Sequence, residues 1–302
     1  MRTIPAIGCA AILLVSALAA TACRPAQPAP LLPGQPKPAH SQASPTALEA
    51  LPAATSAPPA AETAPPPASP PAAGAPAPDR DEREPFRSGL INGAQGALDE
   101  QPGASVYRLD LRIDDSLTRV TGRQEVRYTN TEDVALDEIA FRLFPNLTGG
   151  SMAVSNVSVD GEPAAPRYAQ SDSAMFVPFS ETLQPGEQAV IGMDFDVTIP
   201  TDAATSNYGT FAYLEDVLAL AHAYPMVAVY DDQGWNTEIA PPEGDVVYAD
   251  ASYYLARITA PADLTLVTSG VTLDRQQDGD AQTLAVAAGP ARDFYLAASP
   301  GY

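Results

Sequence analysis

The clearest pattern along the chain is an alternation of apolar and charged residues that begins at Tyr107. Leu109, Leu111 and Ile113 follow at every second position, which places these side chains on one face of a β-strand. Further segments of strand composition predict strands over residues 121–130, 139–144, 154–159, 175–179, 189–199, 251–259, 264–267, 283–287 and 293–297. Turn dipeptides such as Asp160-Gly161 separate them. No segment shows a sustained 3.6-residue repeat, so the pattern predicts an all-β domain, sandwich-like or saddle-shaped.

Composition predicts where this domain begins. Of the 32 prolines, 18 lie between Pro25 and Pro85, in a segment that is otherwise rich in Ala, Ser, Thr and Gln. Such a segment cannot bury enough apolar surface to offset the entropy lost on ordering. Residues 23–85 are therefore predicted to form a disordered Pro/Ala-rich stalk, and residues 86–302 to form the β domain.

The N-terminus indicates export. Arg2 supplies a positive charge, residues 7–18 form an apolar stretch of signal-peptide length, and small residues lead to Cys23. This order resembles a bacterial lipobox, which predicts a signal peptide over residues 1–22 and lipidation of Cys23. The product would be a membrane-anchored lipoprotein facing the cell exterior or the periplasm. The alternative is an ordinary secretory signal that is cut near Ala22 and leaves Cys23 as an unmodified thiol.

Charge and residue counts exclude several kinds of chemistry. Residues 86–302 contain 31 Asp and Glu, 11 Arg and no Lys, a net charge of −20, which repels the phosphates of nucleic acids. The only histidines are His40 and His222, so no H-E-x-x-H zinc motif exists in this chain. Both cysteines, Cys9 and Cys23, precede the predicted domain, which therefore has no Cys nucleophile and no Cys-metal site.

Several segments resemble, in their order along the chain, the N-terminal β domain of the M1 family of zinc metallopeptidases. The resemblance covers nearly all of residues 103–299. A central part, with Tyr224-Pro225, Tyr230-Asp231 and Gly234-Trp235, is similar to the segment of that family that faces the catalytic cleft. The other matching segments are residues 107–113, 120–122, 128–130, 139–146, 157–161, 253–259, 261–264, 269–270 and 292–294.

The resemblance implies a non-catalytic role for this chain. In the M1 family a following domain carries a G-x-M-E-N segment and an H-E-x-x-H helix that holds zinc, and neither motif occurs here. We therefore expect no activity and no cofactor from this chain alone. The expected partners are an M1-type catalytic domain or a peptide substrate, and the chain is expected to be a fragment that stops where the β domain would pass into that catalytic domain. The resemblance places His222, Tyr224 and Trp235 at the rim of the substrate cleft.

Two alternatives stay open at this point. His222 is a lone histidine in an apolar run, which is also typical of a structural residue with an ordinary packing role. The chain could also be a complete surface lipoprotein, a stand-alone module that binds peptides or another exported protein without turnover.

Overall fold

The structure, a computed structural model, describes residues 80–204, 208–240 and 247–301. The predicted signal peptide, Cys23 and all but the last residues of the predicted stalk lie outside the described residues. No helix among the described residues is long and apolar enough to cross a membrane.

The described part of the chain is built mainly of strands. Two short α-helices, α1 (Arg80–Arg87) and α2 (Ala97–Glu100), precede them. The strands in chain order are β1 (Val106–Ile113), β2 (Arg119–Thr129), β3 (Leu136–Arg142), β4 (Ser151–Val159), β5 (Glu162–Pro163), β6 (Arg167–Ala169), β7 (Ala174–Leu183), β8 (Gln188–Thr198), β9 (Phe211–Leu214), β10 (Val217–Leu220), β11 (Met226–Val227), β12 (Tyr230–Asp231), β13 (Gly234–Trp235), β14 (Ser252–Pro261), β15 (Thr265–Thr268), β16 (Val271–Asp278), β17 (Ala281–Ala291) and β18 (Leu296–Ser299).

These strands form one large sheet and three small ones. The large sheet has the order β16-β17-β14-β1-β2-β8-β4-β5, and two four-stranded sheets have the orders β15-β18-β10-β9 and β11-β3-β7-β6. Strands β12 and β13 form a separate hairpin. Strand β1 pairs antiparallel with β2 and parallel with β14, which places Tyr107 beside Tyr254.

The alternation read from the sequence sets which face of the large sheet is buried. In β1, Tyr107, Leu109, Leu111 and Ile113 are buried while the residues between them are exposed. The same apolar core contains buried side chains from both four-stranded sheets, such as Phe141. The all-β fold is therefore confirmed, with a layered core between the large sheet and the smaller ones.

Local chemistry explains where individual strands begin and end. The strand predicted over residues 139–144 ends at Arg142, because Pro145 lies in a 3-10 turn over Phe144–Asn146. The turn at Asp160-Gly161 is confirmed, since both residues have positive φ and join β4 to β5. Strand β16 was not predicted, because its residues are almost all exposed at the edge of the sheet and carry no apolar alternation.

Helix α1 extends the packed part of the chain beyond the predicted start at residue 86. Arg83 is buried, its guanidinium lies 5.3 Å from the centre of the Tyr253 ring, and its Nη2 donates a hydrogen bond to the Gln101 carbonyl at 3.0 Å. Phe86 packs against the same tyrosine, with ring centres 4.9 Å apart. Together these contacts attach the helix to the large sheet.

Candidate functional site

A group of tyrosines lies where β1, β14 and the segment before β11 meet. Tyr107 and Tyr254 are neighbours in the β1–β14 register and their rings stack with centres 5.0 Å apart. Tyr224 packs edge-on against both rings, at 5.6 Å from Tyr107 and 5.9 Å from Tyr254. Burial is the main cause that raises the pKa of all three phenols above their ordinary value. The three hydroxyls are therefore neutral at physiological pH.

Asp293 anchors this group to the chain around His222. The Tyr224 hydroxyl donates to Asp293 Oδ1 at 3.0 Å and accepts a hydrogen bond from the Phe294 backbone N–H at 3.1 Å. The His222 backbone N–H donates to Asp293 Oδ2 at 3.3 Å, and His222 Nδ1 lies 2.8 Å from the same oxygen, at ion-pair distance but without the angle of a hydrogen bond. The backbone of His222 is left-handed, with φ of 54°, and its ring lies 5.5 Å from that of Phe144.

A cleft of about 370 Å³ opens beside the tyrosines. Tyr107 and Tyr254 belong to its lining, and so do Tyr128, Tyr230 and Trp235. The Trp235 indole is fixed by a hydrogen bond from Nε1 to the Glu138 carbonyl at 3.1 Å. It also packs edge-on against Tyr230, with ring centres 5.1 Å apart, and lies 6.0 Å from Tyr128. The cleft wall is therefore aromatic and held in place by backbone hydrogen bonding.

Two carboxylates also line the cleft. Burial raises the pKa of Glu132, and the negative charge of Asp250 raises it further. Glu132 is partly buried and Asp250 is exposed. A cation would relieve the repulsion between the two carboxylates, and aromatic faces also attract cations. The lining therefore suits a ligand with a positively charged, partly apolar end.

The three residues predicted for the rim of a substrate cleft lie at different places relative to the observed cleft. Trp235 lines the cleft. Tyr224 is only 1% exposed and supports the tyrosines of the lining from behind. His222 lies beside Tyr224 at Asp293 and does not belong to the cleft lining. Cys23 is outside the described residues.

Sequence reasoning did not identify Glu132 and Asp250 as cleft residues. Asp250 precedes a predicted strand and Glu132 follows one, but acidic residues flank many strands of this chain and neither has a distinguishing spacing. Their approach depends on strands far apart in sequence. Among residues 80–204, 208–240 and 247–301, no group of three or more His, Cys, Asp or Glu side chains is placed to hold a metal ion.

Comparison with known proteins gives a coarse structural likeness only. No protein-family model matches the chain, and no curated protein matches it. Among solved structures, it is similar to an M1 zinc metallopeptidase from Deinococcus radiodurans, with 14% identity and a TM-score of 0.44 over 64% of this chain and 41% of that one. The chain is also similar to a mutant of that enzyme bound to a Tyr-Ser-Ala substrate, with 15% identity and a TM-score of 0.44 over the same shares of the two chains. A mutant of a two-domain M1 zinc metallopeptidase bound to L-arginine is similar with 15% identity and a TM-score of 0.41, again over 64% of this chain and 41% of the other. This chain thus spans less than half of each.

Proposed function

We propose that this chain is the non-catalytic N-terminal β domain of a membrane-tethered, M1-like metallopeptidase. In this role it forms one wall of the substrate cleft and helps to position the amino end of a peptide. A zinc-bearing domain outside this chain supplies the hydrolysis, in which a metal-activated water attacks the peptide bond.

One observation carries the proposal. The segment from Tyr224 to Trp235, whose sequence resembles the cleft-facing segment of the M1 family, lines an aromatic cleft in the structure through Met226–Val227, Ala228, Tyr230 and Trp235. The sequence resemblance and the geometry of this segment both support the proposal. The pair of carboxylates, Glu132 and Asp250, gives that cleft the charge that an ammonium group needs.

The test compares two proteins. One is the 302-residue chain, and the other is a longer protein expressed from the same DNA with the sequence downstream of the Tyr302 codon included. We expect the downstream sequence to encode H-E-x-x-H, and the longer protein to hydrolyse alanine p-nitroanilide in a chelator-sensitive manner. The 302-residue chain should show no hydrolysis with or without zinc. Chelator-sensitive hydrolysis by the 302-residue chain would contradict the proposal, and so would an unrelated gene after Tyr302. If an unrelated gene follows and the chain binds peptides without hydrolysing them, the result favours a stand-alone binding module.

Within the longer protein, Trp235→Ala measures the contribution of the cleft wall. We expect KM to rise about tenfold, because truncating an aromatic anchor at a binding surface typically costs more than about 1 kcal/mol. Tyr208→Ala is the matched control, since Tyr208 is 83% exposed and does not line the cleft. Equal changes in KM for the two substitutions would show that Trp235 does not contribute to substrate binding.

The membrane tether is a second part of the proposal, supported by the sequence around Cys23. Metabolic labelling with palmitate should mark the wild-type protein in the membrane fraction, and Cys23→Ala should abolish both the label and the membrane association. Wild-type protein without label, or label that persists in Cys23→Ala, would refute lipid anchoring at this residue.

A further inference from the structure

Arg142 is a buried cation at the end of β3. Its side chain is 5% exposed, and its guanidinium lies 5.0 Å from the centre of the Phe144 ring. Nη1 donates a hydrogen bond to the Glu238 carbonyl at 3.0 Å. These contacts fix the plane and the direction of the guanidinium.

The other two nitrogens of Arg142 have no hydrogen-bond partner among the described residues. Nε and Nη2 are both buried, and neither meets an acceptor among the described residues. Burial lowers the pKa of Arg142, which reflects the cost of removing a cation from water. An unpaired buried charge is strongly unfavourable unless a partner is supplied. Nε and Nη2 lie along one edge of the guanidinium. In proteins, a carboxylate commonly accepts two parallel hydrogen bonds from such an edge.

Arg167 shows how the same small sheet completes such an arginine. Its guanidinium lies 3.7 Å from the centre of the Phe176 ring, and Glu138 accepts from Nη2 at 2.6 Å and from Nε at 3.3 Å. The corresponding Nε and Nη2 edge of Arg142 has the aromatic neighbour but no carboxylate from the described residues. The two arginines of this sheet each stack on an aromatic ring, but only Arg167 has a carboxylate partner among the described residues.

We infer that Arg142 is a binding site for a carboxylate ligand, which would bridge Nε and Nη2 as Glu138 bridges the same edge of Arg167. The ligand class is a small organic acid or a peptide with a free carboxyl group. Met226, the partner of Arg142 in the β3–β11 register, belongs to the cleft lining, so the site lies one strand from the cleft. This inference goes beyond the proposed function and does not depend on it.

The test is thermal unfolding of the full 302-residue chain in sodium acetate and in sodium chloride at equal ionic strength. Acetate should raise the Tm of the wild type over that in chloride by about 2–4 °C once its concentration is several times the dissociation constant. Arg142→Met removes the cation and keeps an apolar side chain of similar length, so the difference between the two salts should disappear. In chloride this variant should be at least as stable as the wild type, because the substitution removes an unpaired buried charge.

Arg167→Met is the matched control, because Arg167 has the same aromatic stacking but is 58% exposed and already bound to Glu138. It should keep the acetate response. Arg142→Lys is the second variant should Arg142→Met fail to fold, since lysine keeps the charge but cannot form the two parallel hydrogen bonds. It should also lose the acetate response.

Two peptides distinguish the source of the carboxylate. Acetyl-Ala-Ala with a free carboxyl group is compared with its amide at equal concentration. A Tm increase with the acid but not the amide identifies a peptide carboxylate, whereas a response to acetate alone identifies a small organic acid. No acetate or peptide effect in the wild type, or an equal acetate effect in the wild type and Arg142→Met, would overturn the inference.

Discussion

Replacing Tyr224 with phenylalanine tests the polar contacts around Asp293, because the substitution removes one hydroxyl and preserves the ring. Tyr224 is fully buried, and its ring packs against Tyr107 and Tyr254, contacts that phenylalanine can keep. The hydroxyl donates to the Asp293 carboxylate and accepts from the Phe294 backbone N–H. The Tyr254 side chain is a further hydrogen-bond partner of Tyr224. Any loss of stability therefore reports on these polar contacts together.

The expected loss follows from the chemistry of each bond. A hydrogen bond to a charged group contributes about 1.5–3 kcal/mol, and a buried N–H left without an acceptor costs about 1–3 kcal/mol. The side chain of Asp293 is 21% exposed, so water can replace part of what the carboxylate loses. We therefore expect the free energy of unfolding to fall by about 3 kcal/mol, near the lower end of the combined range of about 2.5–6 kcal/mol. For a domain of this size that corresponds to a Tm decrease of about 6–12 °C.

The assay is urea and thermal unfolding of the full chain near neutral pH. The urea midpoint should fall without a change in the m value, since the compactness of both states is unchanged. Tyr213→Phe is the matched control, because the Tyr213 hydroxyl also donates to an aspartate, Asp216, at 3.2 Å, but at an exposed position. The control should leave the unfolding midpoint unchanged.

A result for Tyr224→Phe that equals the control would refute the reasoning, since the hydroxyl would then contribute no more than an exposed one. Combining Tyr224→Phe with Asp293→Ala gives a further check. If the two residues act through one hydrogen bond, their effects should be less than additive. Strict additivity would assign the loss to Phe294 or to the tyrosine packing.

Two further predictions concern the cleft and the large sheet. Burial raises the folded-state pKa of Glu132 above its ordinary value of 4.5, so its contribution to stability is present below pH 4.5 and is lost as the pH rises through the folded pKa. Glu132→Gln should therefore raise the Tm over the wild type near pH 7 but not near pH 4, and an increase of equal size at both pH values would exclude this cause. Gly122 faces the Phe195 ring across the β2–β8 pair, so the methyl group of Gly122→Ala should clash with it and lower the free energy of unfolding by about 1–3 kcal/mol. Gly93→Ala, where an added methyl group meets no atom within 4 Å, is the control in urea unfolding, and equal midpoints for both variants would contradict the packing argument.

The sequence alone determined the fold class, and the predicted segments overlap ten of the 18 strands in the described part of the chain. Side chains alternate between the two faces of a strand, so the positions of Tyr107, Leu109, Leu111 and Ile113 already specified which face is buried. The Asp160-Gly161 turn was equally readable, because it needs two residues that tolerate positive φ. These are local properties, and they depend only on neighbouring residues.

Interactions between distant residues decided the remaining strand boundaries. The strand predicted over residues 293–297 is displaced to Leu296–Ser299, because Asp293 turns to Tyr224 and His222 instead of entering the sheet. Edge strand β16 has no buried face, so the sequence carried no apolar pattern for it. Neither feature has a signal within its own segment.

The candidate site required the tertiary structure. Sequence placed Trp235 in a cleft-facing segment, but it could not show that Tyr224 lies behind the lining, or that Glu132 and Asp250 share the cleft. The cleft forms where β1 meets β14 in a parallel pair, and the two strands are separated by most of the domain. That no described residue accepts a hydrogen bond from Nε or Nη2 of Arg142 likewise emerges only from the tertiary structure. Periodicity reports which side of its own strand a residue occupies, whereas a site is made by side chains that only long-range pairing brings together.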